Sequence, residues 1–106
     1  MPKYMTVASY TAEGVKGLIK DGGTGRRAAV EKAITALGGR LEGFYFAFGE
    51  DDVMVISDAP DNISVAALSL AVGSTGLVRT KTIVLLTPEE IDAAAKKSVA
   101  YQGPGR

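Results

Sequence analysis

The segment from Leu41 to Pro60 constrains this chain more than any other. It reads as two adjacent strands joined by the acidic turn Gly49-Glu50-Asp51-Asp52. Both strands carry apolar side chains on both faces. Phe44, Phe46 and Phe48 alternate along one side of the first strand, and Leu41, Tyr45 and Ala47 along the other. The second, Val53-Met54-Val55-Ile56, is apolar without alternation, as befits a strand covered above and below. A hairpin of this kind needs cover on two sides. A chain of 106 residues has room for one domain with a modest core and supplies helices for only one side. The other side is therefore expected to meet a second copy of the protein.

The rest of the chain supplies the matching elements. Lys3 to Tyr10 alternates as a strand, with Met5 and Val7 opposite Tyr4, Thr6, Ala8 and Tyr10. Thr11 is placed to cap a helix from Ala12 to Lys20 in which Val15, Leu18 and Ile19 share a face. The glycine-rich Asp21 to Gly25 interrupts it. Helical spacing resumes at Arg26, with Val30, Ala33, Ile34 and Leu37 on one stripe, and Gly38-Gly39 ends it. The strands of the hairpin are expected over 40–49 and 53–57. Pro60 opens a second helix whose buried stripe is read as Ile63, Ala66, Ala67, Leu70 and Ala71, stopped by Gly73 to Gly76. A fourth strand spans 77–86. Thr87-Pro88-Glu89-Glu90 has the residues of a capping box at the start of a short last helix, ending near Lys97.

The order is strand, helix, strand, strand, helix, strand, plus a terminal helix. The expected fold class is α+β, ferredoxin-like βαββαβ: a four-stranded antiparallel sheet with helices on one face. Residues 1–97 form the domain and residues 98–106 a tail.

Composition excludes much chemistry. Twelve basic residues balance twelve acidic ones, with no basic stripe of the kind that binds nucleic acid or an anionic membrane. Cysteine and histidine are absent, which removes thiolate nucleophiles, imidazole bases and soft-metal ligation. No motif calls for a cofactor. The start, Met1-Pro2-Lys3-Tyr4, lacks an apolar leader, and no window approaches the ~20 apolar residues of a membrane span, so a soluble cytoplasmic protein is expected.

Several pieces, in order, resemble the GYD domain family: Val7-Ala8-Ser9-Tyr10-Thr11, Leu37-Gly38-Gly39, Phe44-Tyr45, Gly49-Glu50, Val55-Ile56, Ala59-Pro60-Asp61, Ala71-Val72-Gly73 and Val78-Arg79-Thr80. The resemblance extends from Pro2 to Ala95. It implies membership of the dimeric α/β-barrel group, whose ferredoxin-like chains pair through their sheets. It also implies that the hairpin tip carries the family's Gly-x-Tyr-Asp signature. Here Gly49 and Asp52 keep that signature, while Asp51 stands where the family has tyrosine.

Four residues are candidates for a ligand site: Tyr10, Tyr45, Arg79 and Lys81. Arg79 and Lys81 share a side of the fourth strand, as a polar island that would clamp a small carboxylate or carbonyl compound near the sheet face or subunit interface. Alternatively, the two cations pair with acidic groups of a partner subunit. The carboxylates of the acidic turn suit a hard cation less well than a solvated turn in which Asp bonds the backbone and Gly49 takes an unusual φ; no metal site is expected. The expected role is a homo-oligomer that binds a small organic ligand. One rival, implied by the barrel group, is a cofactor-free monooxygenase- or isomerase-like enzyme acting on a small carbonyl or aromatic substrate. Another is a regulatory trimer holding a phosphate-containing ligand in a loop at Gly22 to Arg27.

Overall fold

Strand formers in alternation put β1 at Lys3–Tyr10, and the computed structural model, which describes residues 1–106, pairs it with two neighbours. Strand β1 lies between β3 (Val53–Asp58) and β4 (Val78–Leu85), antiparallel to both, and β2 (Arg40–Phe46) pairs with β3. The order β2-β3-β1-β4 is that of the ferredoxin-like sheet. Helices α1 (Ala12–Ala36) and α2 (Asn62–Gly73) both cover the face bearing Ala8, Val55 and Val78. The opposite face carries no helix of this chain's core. No helix is long and apolar enough to cross a membrane.

Helix α1 is a single element with one break. Thr11 caps it by accepting from Gly14 N, and Gly22 alone leaves helical geometry at φ 78° and ψ 162°. The φ is costly for any residue with a Cβ, so glycine serves as the kink. The first half starts where Gly14 lies against Leu77 O and Tyr10; the second begins with Gly23 against the Phe46 ring. The helix thus crosses one end of the sheet before turning along its face. Val30, Ala33, Ile34 and Leu37 face inward as the spacing predicts. Ile19, expected on a buried stripe, is 78% exposed, because the crossing half has little sheet beneath it.

Two further expectations need correction. A β-bulge between Leu41 and Gly43 leaves Glu42 as the extra residue in β2. Leu41 therefore joins Phe44 and Phe46 on the helix side and leaves Tyr45 on the other. Phe44 and Phe46 meet edge to face at 5.4 Å, whereas the strand ends before Phe48, which is fully exposed. In α2 the residues facing the cavity are Val65, Leu68, Val72 and the expected Ala71, with Ser64 and Ser69. Ile63 and Leu70, read as its buried stripe, point outward at 80% and 75% exposure. The helix is apolar all round, a pattern of helices covered on every side.

The core is thin. Ala8, Ile34, Val53 and Val55 form its centre, with Tyr4 buried beside them and donating from its hydroxyl to Asn62 Oδ1 at 2.6 Å. At one end of the sheet, Asp58 accepts from Lys3 Nζ at 2.9 Å and from Arg40 Nη2 at 3.1 Å. Lys3 also donates to Glu42, the residue the bulge releases from the ladder. These bonds hold the Asp58 carboxyl below its ordinary value, Lys3 contributing most, against the opposing effect of burial. They raise Lys3, through Glu42 first and Asp58 second.

The C-terminal segment leaves the body. Helix α3 (Pro88–Ala95) starts on the expected capping box, with Thr87 and Glu90 bonding each other's backbone N–H groups. Every residue of α3 is exposed, and no helix or strand follows it. The radius of gyration of 16.8 Å exceeds the roughly 13 Å of a compact chain this long.

Candidate ligand site

The space that a fuller core would occupy is a cavity of about 320 Å³ between the sheet and the two helices. Its floor comes from alternate residues of the strands, Ala8, Val53, Val55 and Val78 among them; α1 adds Val30 and Ala33, and α2 adds Leu68 and Val72. Hydroxyls of Thr6, Ser57, Ser69 and Thr80 interrupt the apolar wall. No carboxylate lines it, and Arg26 is the one charged residue that does. The volume is at the lower end of the ~300–1,000 Å³ range of small-molecule sites. The arrangement can hold a compact apolar molecule and hydrogen-bond one or two of its polar atoms.

Tyr10 belongs to this cavity, at the end of β1. The other three candidates do not. Arg79 and Lys81 alternate with Val78 and Thr80 and so lie on the opposite, helix-free face. Tyr45 is on that face too. The register runs Tyr45, Met54, Val7, Lys81 straight across the sheet, so Tyr45 and Lys81 occupy opposite edge strands. At about 4.8 Å per strand they are roughly 14 Å apart. Tyr45 shares the face of Arg79 and Lys81 without joining them. The face exposes apolar side chains on several strands, with Tyr45, Met54 and Ile83 68%, 38% and 37% exposed. Neither Arg79 nor Lys81 is among the residues that form ion pairs within the chain.

The acidic turn is structural. Gly49 takes φ 126°, open to glycine and strained for other residues. Asp52 Oδ2 accepts from Tyr10 N at 2.8 Å, and its own N–H donates to Ala8 O at 2.9 Å, tying the turn to the end of β1. Ser9 Oγ adds a bond to Glu50 O. The carboxylates do not converge into a group able to hold a metal ion. The loop needed for a phosphate site at Gly22 to Arg27 does not exist either, since those residues are helical on both sides of the single break at Gly22.

A turn whose glycine supplies the fold-back and whose last aspartate anchors it to β1 is consistent with what Gly49 and Asp52 suggest from sequence. The family model of the GYD domain matches residues 4–95. The chain belongs to the GYD domain family. In this GYD domain Gly49 sets the backbone of the turn and Asp52 holds the neighbouring strand, and neither faces the cavity. No curated protein and no solved structure matches the chain.

From sequence Arg26 belongs to the phosphate loop at Gly22 to Arg27, whereas the structure puts it in the cavity wall. Its signal was present: Arg26 precedes Val30, Ala33, Ile34 and Leu37 at helical spacing and so extends their stripe.

Proposed function

We propose that this GYD domain is a binding protein for a small, largely apolar organic molecule, held between sheet and helices, and that it works as a homo-oligomer. The cavity carries this reading, because a 320 Å³ apolar space inside so small a core forfeits packing that a purely structural domain would keep. Its wall supplies no carboxylate, imidazole or thiol for proton transfer, which favours binding over acid–base catalysis. Self-association is supported by the uncovered faces. Tyr45, Met54 and Ile83 on the sheet and Ile63 and Leu70 on α2 expose apolar area that a second copy would cover. Arg79 and Lys81 then meet the partner at the rim, where their charge selects orientation.

The test is uptake of prodan, a neutral solvatochromic dye, by the intact protein. Saturable binding with a blue-shifted emission is expected. Ala33→Trp, which fills the cavity, removes it, whereas Ala28→Trp on the exposed side of the same helix leaves it intact. No uptake by the wild type, or uptake that survives Ala33→Trp, rejects the cavity as the site.

A further inference from the structure

The wall of the cavity is asymmetric in charge, and that asymmetry selects a ligand class. Arg26 stands three residues after Gly23, which packs on Phe46, so it joins the cavity wall near where α1 turns onto the sheet. Its side chain is 32% exposed, so Arg26 both lines the apolar cavity and reaches solvent. Its partner within the chain is Asp21, through one contact of 3.4 Å from Nη1, and the Asp21 side chain is itself 45% exposed. A guanidinium has five N–H donors in a planar fork, so most of its capacity is unspent.

We propose that this cavity is selective for amphipathic monocarboxylates, with a compact apolar body between sheet and helices and the carboxylate on the Arg26 guanidinium. The proposal rests on the cavity reading above and names what that cavity takes. A carboxylate entering an apolar wall without a cation would shed hydration for nothing, and Arg26 is the one group that repays it. An amine would place its charge beside a like charge, where the one nearby carboxylate, Asp21, is already paired with Arg26. A dianion would keep its second charge unpaired. The ligand's carboxylate displaces only the long contact to Asp21, and the partly exposed Arg26 side chain lets the head stay partly solvated while the body is buried.

Calorimetric titration with octanoate, octanol and octylamine, which share one alkyl chain, separates the parts of the claim. Octanoate is expected to bind tightest, octanol more weakly and octylamine weakest. Arg26→Gln should weaken octanoate about ten- to hundredfold, the usual range for a charged hydrogen-bonded contact, and octanol far less. Arg26→Lys should restore part of the loss, and Asp21→Asn, which frees the guanidinium, should tighten octanoate. Thermal melts check that each variant is folded. If octanol binds the wild type as well as octanoate does, or if Arg26→Gln leaves octanoate unaffected, the carboxylate selectivity is wrong and the cavity stands. If neither octanol nor octanoate binds and prodan is not taken up, the cavity reading itself has failed.

Discussion

Two glycines in the first half of α1 should respond to the same substitution with opposite sign. Gly14 is buried where the helix starts against the residue leading into β4. A Cβ there would lie 2.1 Å from Leu77 O and 3.0 Å from the Tyr10 ring. Since a carbon rests about 3.3 Å from a carbonyl oxygen, the helix start must retreat by about 1.2 Å. That movement breaks the bond from Thr11 N to Leu77 O, now 2.9 Å, at a cost of about 0.5–1.5 kcal/mol. Overpacking adds about 1–3 kcal/mol, and the better helix propensity of alanine returns at most about 1 kcal/mol. Gly14→Ala should therefore destabilise the protein by about 2 kcal/mol, or lower Tm by roughly 8–16 °C for a domain this size. Gly17 has no neighbouring atom within 4 Å of a built Cβ. Gly17→Ala keeps the propensity gain alone and should raise stability by about 0.5–1 kcal/mol. Thermal and urea melts followed by circular dichroism, at one fixed protein concentration, measure both. Equal signs for the two variants, or a Gly14→Ala protein as stable as the wild type, would refute the close approach of α1 to Leu77.

The Asp58 cluster predicts acid sensitivity of known direction. The folded carboxyl titrates below its ordinary value of 3.8, so the unfolded chain takes up the proton first. Its stabilisation is complete above about pH 4 and is lost as pH falls through the folded value. Asp61 is also held below its ordinary value, by the Ser64 backbone N–H it caps, so Asp58→Asn should flatten the acid limb of a melt series only in part. Lys3 has the opposite sign, its contribution being full below about pH 10 and lost as pH rises through its raised value. A third prediction concerns assembly: Met54→Lys, in the middle of the helix-free face, should shift the protein to smaller species in sedimentation velocity at micromolar concentration, and an unchanged distribution would remove that face from the interface.

Much of the fold was legible because local signals agreed with it. The strand at Lys3 to Tyr10, the Thr11 cap and the Thr87-Pro88-Glu89-Glu90 capping box lie where residue types alone put them. The errors share a physical cause. Alternation in β2 was read without the bulge at Glu42, and one extra residue moves Leu41 to the other face. In α2, Ile63 and Leu70 make as good an apolar stripe as Val65, Leu68 and Val72, and the serines on the latter favour the wrong choice. A helix without a polar face has no orientation of its own, so packing against the sheet chooses it.

The candidate site shows the same division. Sequence periodicity set Tyr10 apart from Arg79 and Lys81 by face only once the strand order was known, and it could not show that Tyr45 sits across the whole sheet from Lys81. The amino-acid sequence by itself determined the elements, their order and the excess of apolar surface over what two helices can cover. It did so because hydrophobic periodicity and end-capping act over a few residues. The tertiary structure alone decided which stripe of α2 faces in, where Arg26 stands and that the core encloses a cavity. Those outcomes depend on the shapes of several elements at once, and volume left between them is written in no single stretch of chain.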